Sequence, residues 1–298
     1  MLINNYTELK NALQNKVILI TGAGGGIGLE TVKILHYMGA YVIIAENNKE
    51  RLKTIKKLFE KEIKELKIEI FDVDLSSLKN ISKLVNGIIK KHGFIDVLIN
   101  NAIIINIGNI EELNINIWEK SYSVNFRAPL YLTQKVLPLM KNRNSGIIIF
   151  VSSSGAAPYM GAYEVFKTAQ VELANTLFAE IENTDISVFT IGPGLVKTET
   201  AESAINVIAE KMGVTTDDFY KMNEKHILGA EEAGLGFALS VIKAKDYSGQ
   251  DIGSIRVLND FGITKNDKGK KEVDITKASD DIFSVPVIGD VEIVEFVG

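Results

Sequence analysis

Tyr163 and Lys167 stand four apart in the run Tyr163-Glu164-Val165-Phe166-Lys167. On a helix that spacing puts both side chains on one face, a turn apart. An ammonium beside a phenol favours the phenolate. At about 4 Å, with an effective dielectric near 20, the attraction is roughly 4 kcal/mol. That is about three pKa units, enough to bring a phenol toward neutrality. A tyrosine so tuned gives or takes a proton at pH 7. A solvated Tyr–Lys pair on a plain helix has the same spacing. A glycine-rich turn more than 130 residues upstream gives this pair its weight.

The run Val17-Ile18-Leu19-Ile20 is continuously apolar, as a strand buried on both faces requires. It leads directly into Thr21-Gly22-Ala23-Gly24-Gly25-Gly26-Ile27-Gly28, after which Ile27, Thr31, Ile34, Leu35 and Met38 share one helical face. Strand, glycine turn and helix form a pyrophosphate site. The glycines admit the backbone to the phosphates, and the helix start offers N–H groups and a positive dipole end. The strict G-x-G-x-x-G pattern fails, because Ile27 stands where its third glycine belongs. A Walker loop fails too, since no Lys-Ser or Lys-Thr follows. The pattern that fits is Thr-Gly-x-x-x-Gly-x-Gly. A second apolar run, Tyr41 to Ala45, ends at Glu46. A carboxylate there accepts the hydroxyls of an adenosine ribose and repels a 2′-phosphate. No Arg or Lys lies in the turn or at Asn47, so the reading is NAD rather than NADP.

Together these residues resemble the short-chain dehydrogenase/reductase family in its compact single-domain branch, from about Asn15 to about Gly262. Asp74, in Asp74-Leu75-Ser76, matches the family's adenine-contacting Asp, and Asn100-Asn101-Ala102 matches its Asn-Asn-Ala-Gly motif. Asn125, Ser153, Tyr163 and Lys167 match its catalytic tetrad. Pro193-Gly194, Val196 and Thr198 match the loop that closes on the nicotinamide, and Tyr247-Ser248-Gly249-Gln250 resembles the run before the last strand. The resemblance implies hydride transfer between nicotinamide and a secondary alcohol or ketone. It implies cofactor contacts at Gly22, Gly26, Ile27, Gly28, Glu46, Asp74, Leu75, Asn100, Asn101, Ala102, Tyr163, Lys167, Pro193, Val196 and Thr198. Two departures stand out. Ile103 replaces the family's usual Gly, so a branched side chain is expected to crowd the backbone. Ser153 precedes Tyr163 by ten residues, a shorter gap than the family's. Counting forward from the strand start at Gly146 still selects Ser153, with Ser154 in reserve.

With 298 residues, 46% hydrophobic and 24% charged, the chain can bury a full core. Alternating strands and helices imply one α/β Rossmann-type doubly wound parallel sheet of about seven strands in three layers. Strands are expected near 16–21, 41–45, 67–71, 95–99, 146–151, 186–191 and 253–258, and helices near 26–38, 48–65, 77–91, 111–141, 162–182 and 230–243. A net charge of −5 gives no footprint for nucleic acid. The absence of Cys removes thiolate chemistry, and three scattered His give no metal site. No apolar stretch reaches membrane-spanning length, and no leader pattern opens the chain, so the cytoplasm is the expected location.

The NAD-binding unit is expected over 1–263, with a substrate lid at about 195–228. In the lid Ala201, Ala204, Ile205, Ile208 and Met212 make an apolar stripe. No Arg stands at the pocket mouth, which points to an apolar or neutral small-molecule substrate. A C-terminal extension, 264–298, turns apolar from Ile282 to Val297 and is expected to pack on its own or a neighbouring subunit. The helix after Lys167 carries apolar residues around more than one face, which predicts a homodimer or homotetramer. Two other classes compete. One is a nucleotide-binding module that no longer catalyses, suggested by Ile103 and the short Ser153–Tyr163 gap. The other is a sugar-nucleotide epimerase or dehydratase, which would need a larger C-terminal substrate domain.

Overall fold

The apolar runs become the central strands of a parallel sheet. The computed structural model describes residues 2–153, 157–224 and 227–263. Two short 3₁₀ turns, Leu2–Asn5 and Thr7–Leu9, precede β1 (Val17–Thr21), α1 (Gly26–Tyr37) and β2 (Tyr41–Glu46). There follow α2 (Lys49–Leu58), α3 (Glu60–Lys64), β3 (Ile68–Asp72), α4 (Leu78–His92) and β4 (Val97–Asn100). The second half contains α5 (Ile115–Tyr122), α6 (Ala128–Arg143), β5 (Gly146–Val151), α7 (Gly161–Glu180), β6 (Ile186–Gly192) and β7 (Leu195–Val196). It closes with α8 (Glu199–Met212), α9 (Thr216–Met222), β8 (Ile227–Leu228), α10 (Ala230–Ile242), α11 (Ala244–Tyr247), β9 (Asp251–Gly253) and α12 (Ser254–Asp260).

Seven strands pair in the order β3-β2-β1-β4-β5-β6-β9, all parallel. Side chains alternate across the sheet, and both faces are covered. Ile18, Ile20, Val42 and Ile44 enter one core with Val32 and Leu35 of α1, Leu235 and Phe237 of α10, and Val257 of α12. Val17, Leu19, Ile43 and Ala45 enter the other with Leu84 of α4, Leu132 of α6 and Leu177 of α7. This is the three-layer, doubly wound architecture expected from the alternating pattern. Chain order reverses between β1 and β4, so a crevice opens beyond their C-terminal ends. The segment expected as a substrate lid is flanked by a small parallel pair of its own, Leu195–Val196 beside Ile227–Leu228.

Three expected elements come out differently. The helix expected over 48–65 divides at Phe59, which caps both α2 and α3 and is itself buried. The helix expected over 111–141 breaks into α5 and α6 around a π turn at Ser123–Arg127. The last strand ends at Gly253, and 254–260 is helical rather than extended. There Val257 and Leu258 are buried in the core that α10 also lines, a contact that a helix satisfies and a two-residue alternation does not. The extension expected over 264–298, with Ile282 to Val297, lies outside the described residues, as does Ser154.

Candidate active site

The glycine turn is built by close approaches that exclude side chains. Gly22 has φ +63°, and a Cβ on it would lie 2.5 Å from the Ala102 Cα. A Cβ on Gly28 would lie 2.7 Å from Asn101 Nδ2 and 2.8 Å from the Ala23 Cα. Asn101 and Ala102 belong to the turn after β4, and Ala23 to the glycine turn itself. Thr21 Oγ1 accepts from the Asn101 and Ala102 N–H groups at 3.1 and 3.0 Å. Asn101 Nδ2 donates to the Thr21 and Gly22 carbonyls, and Asn100 Nδ2 reaches the Ile149 carbonyl at 3.4 Å. The turns after β1 and β4 are therefore one rigid unit. Helix α1 starts at Gly26 behind Gly25, which supplies no capping side chain. Ile27 and Gly28 occupy its first turn, a form suited to a phosphate group.

Glu46, 5% exposed, stands at the rim of this turn. Its Oε2 accepts from Gly24 N at 2.9 Å, and its Oε1 accepts from Asn47 N and Asn48 N at 2.8 and 2.9 Å. Three backbone donors fix the carboxylate in place. On the other side, the Thr198 side chain caps α8 by accepting from Ala201 N and lies 3.3 Å from where a Gly26 Cβ would sit. Val196 is buried, with Pro193 half-buried beside it. Asp74 accepts from Ser76 N at 2.9 Å and is otherwise exposed, while Leu75 is buried beneath it.

Tyr163 and Lys167 lie on the buried face of α7, 8% and 1% exposed. The Lys167 Nζ sits 5.8 Å from the centre of the Tyr163 ring and donates to the Val151 carbonyl at 2.6 Å, at the end of β5. Ser153 is two residues further along that strand's path, and its Oγ donates to Glu164 Oε1 at 2.8 Å. Ser152 faces away and bonds Asp251 instead, so the strand alternation selects Ser153. Asn125, fully buried, sits in the π turn. Its Oδ1 accepts from Ile104 N and its Nδ2 donates to the Ile104 carbonyl, both at 2.9 Å. Gln170 of α7 donates to the Asn125 carbonyl, tying the π turn to the helix that carries Tyr163. Ile103, expected to crowd the backbone, does not adopt positive φ.

The electrostatics differ from the simple Tyr–Lys expectation. Burial pushes the Tyr163 phenol up, and the Glu164 carboxylate adds to the rise, while a hydrogen bond with Ser153 opposes it. Burial lowers Lys167 to about 7, with Glu164 acting in the other direction. Desolvation outweighs the attraction that the spacing suggested. Lys167 is thus poised to gain or lose a proton near neutrality.

Two residues in this region escaped the sequence reading. Arg51 of α2 packs on the glycine turn, with Nε 3.2 Å from where a Gly25 Cβ would sit, and its Nη2 reaches Thr200 Oγ1 at 3.2 Å. Its place one helical turn after Asn48 was readable, but its reach to Gly25 was not. Glu164 is 5% exposed. Its position beside Tyr163 was visible, but its bond to Ser153 depends on the path of β5. Among the described residues no cluster of metal-ligating side chains forms, and no helix is long and apolar enough to cross a membrane.

The family profile for short chain dehydrogenases matches residues 16–207. Dehydrogenase/reductase SDR family member 7B of Danio rerio is 32% identical over 209 residues, covering 68% of each chain. Dehydrogenase/reductase SDR family member 4 of Sus scrofa is 32% identical over 196 residues, covering 64% of this chain and 69% of its own. Among solved structures, an actinorhodin polyketide ketoreductase variant with NADPH superposes with a TM-score of 0.72 at 26% identity, over 80% of this chain and 95% of its own. Levodione reductase superposes with a TM-score of 0.73 at 22% identity, over 80% and 96%, a likeness of fold. The chain belongs to the short-chain dehydrogenase family. It has that family's nucleotide-binding oxidoreductase fold.

Proposed function

We propose that the protein is an NAD-dependent oxidoreductase acting on a secondary alcohol or its ketone in an apolar or neutral small molecule. The observation that carries this reading is the placement of Tyr163 and Lys167, buried and adjacent, at the same sheet end as the glycine turn. A side-chain-free cradle at Gly22 and Gly28, with the uncapped start of α1, fits a dinucleotide pyrophosphate. When bound, the cofactor supplies or accepts the hydride.

The chain's own residues carry the proton and hold the reactants. Tyr163, held protonated by burial, gives its proton to the carbonyl oxygen during reduction; during oxidation it takes the hydroxyl proton as its own passes to the neutral Lys167 amine. Ser153 hydrogen-bonds the substrate oxygen. Lys167 shares protons with Tyr163 and holds the nicotinamide ribose. Asn125 fixes the backbone at Ile104 beside it and holds a water that passes protons onward. Proton transfer of this kind contributes about 10²–10⁴-fold. Glu46 is the basis for preferring NAD, since its held carboxylate meets a ribose hydroxyl favourably and a 2′-phosphate unfavourably. Arg51 beside the turn is available to the pyrophosphate. The NADPH in the ketoreductase structure bears on that protein's own cofactor.

The test is turnover with secondary alcohols and ketones of graded size, 2-butanol, cyclohexanol and 1-phenylethanol with their ketones, using each dinucleotide. Thermal shifts with NAD and NADP run alongside. Cofactor-linked turnover and a larger shift with NAD are expected. Equal stabilisation by both dinucleotides would refute the NAD preference.

A further inference from the structure

Arg51 joins two helices whose contacting residues are 149 positions apart. It stands in the first turn of α2, where its own N–H donates to the Asn48 side chain. From there its side chain runs over the glycine turn. A Cβ on Gly24 would lie 2.9 Å from the Arg51 Cβ, and a Cβ on Gly25 would lie 3.2, 3.5 and 3.6 Å from its Nε, Cζ and Cδ. Gly25 has extended backbone, with φ −168°, which any residue adopts. Its missing side chain makes room for the guanidinium rather than for a strained turn. Beyond Gly25, the Arg51 Nη2 donates to Thr200 Oγ1 at 3.2 Å and stands 3.8 Å from Glu199 Oε2, both in the first turn of α8. Glu199 is 91% exposed, so that ion pair is weak and the hydroxyl is the partner that counts. Thr198, which caps α8, comes against the same turn, with its Cγ2 3.3 Å from where a Gly26 Cβ would sit. The start of α8 therefore meets the glycine turn twice, once through Thr198 and once through Arg51.

We propose that Arg51 is a positioning residue that straps the start of α8 to the glycine turn and so slows the release of a dinucleotide seated there. Its guanidinium is planar and rigid, with five N–H donors, so one end holds Thr200 while the plane stays on Gly25. One hydrogen bond from a side chain that is 34% exposed breaks without unfolding α8. The strap opens for entry and release and closes between them, the kind of step that sets how long an enzyme keeps its cofactor. This inference rests on the dinucleotide reading of the glycine turn. It adds to that reading a residue that acts on release through α8.

The experiment follows release of NADH from the full chain by its fluorescence in stopped flow, with no substrate present. Arg51→Ala is expected to raise the dissociation rate about threefold or more, the scale of one hydrogen bond. Thr200→Val leaves the Arg51 charge in place and is expected to raise it by a similar factor. Thr200→Ser keeps the hydroxyl and is expected to release NADH at the wild-type rate. In an Arg51→Ala background, Thr200→Val is expected to add less than about 1.5-fold, because the partner is already gone. Hydrogen exchange of α8 in the NADH complex should be faster in Arg51→Ala than in wild type. A Thr200→Val variant with the wild-type rate would overturn the strap and leave Arg51 acting on the cofactor directly. An additive cycle, a Thr200→Ser variant as fast as Thr200→Val, or unchanged exchange in α8 would each overturn it too. The two readings fail differently. NADH binding with an additive cycle removes the strap alone, whereas a wild type that binds no NADH removes the dinucleotide reading and this proposal with it.

Discussion

Lys167 shows why a residue pair must be weighed by its surroundings. The spacing to Tyr163 put both on one face, but burial decides their protons. Lys167, lowered to about 7 in the folded chain, keeps its ordinary high value when unfolded. Between these values the unfolded state binds more protons, so stability rises with pH over about 7 to 10 and is lost as pH falls through 7. The thermal midpoint of wild type should therefore gain on that of Lys167→Met as pH rises across this window. Parallel curves for the two would contradict the lowered value. Glu46 is the second residue whose setting decides its effect. Glu46→Ala removes a held carboxylate while Arg51 stays at the turn. Calorimetric titration should show the affinity gap between NAD and NADP narrowing by about tenfold, the scale of one charged contact. An unchanged gap would move the determinant elsewhere.

At the scale of elements, the strand ends position everything that matters. The turn after β1 closes on the turn after β4 so tightly that Gly28 has no room for a methyl group. Gly28→Ala should destabilise the chain by about 1–3 kcal/mol through overpacking and weaken cofactor binding with it. Denaturant unfolding and NAD titration check both, and wild-type values in both would show that the two turns can part. The core strands were readable in the sequence because buried parallel strands are written as apolar runs, as at Val17–Ile20 and Tyr41–Ala45. The glycine turn, Asn101, Tyr163 and Lys167 were readable because their spacing is local. The π turn at Ser123–Arg127 was not, since it depends on Asn125 pairing with Ile104, a contact 21 residues away. Helix α12 was missed for a related reason, because Val257 and Leu258 take their conformation from the core they join with α10. Arg51 and Glu164 acquire their places only when distant elements meet.

At the scale of the molecule, α7 carries the candidate site on one side and apolar surface on the other. Ala174, Leu177 and Ile181 are buried, whereas Val165 and Phe178 are 53% and 41% exposed. We expect that outer face to pair with a second copy, giving a homodimer or homotetramer. Light scattering should report an oligomer that Val165→Lys weakens, and a wild-type monomer at micromolar concentration would end this expectation. The central claim concerns chemistry, and one comparison tests it most directly. Steady-state oxidation of the alcohol panel by wild type and Tyr163→Phe is measured with NAD binding determined for both. The account predicts turnover in wild type, a loss of at least about 10²-fold in the variant, and NAD affinity nearly unchanged, because the phenol oxygen carries the proton. A folded Tyr163→Phe variant retaining more than about a tenth of wild-type turnover would contradict it, since such a small loss lies below the range of general acid–base catalysis.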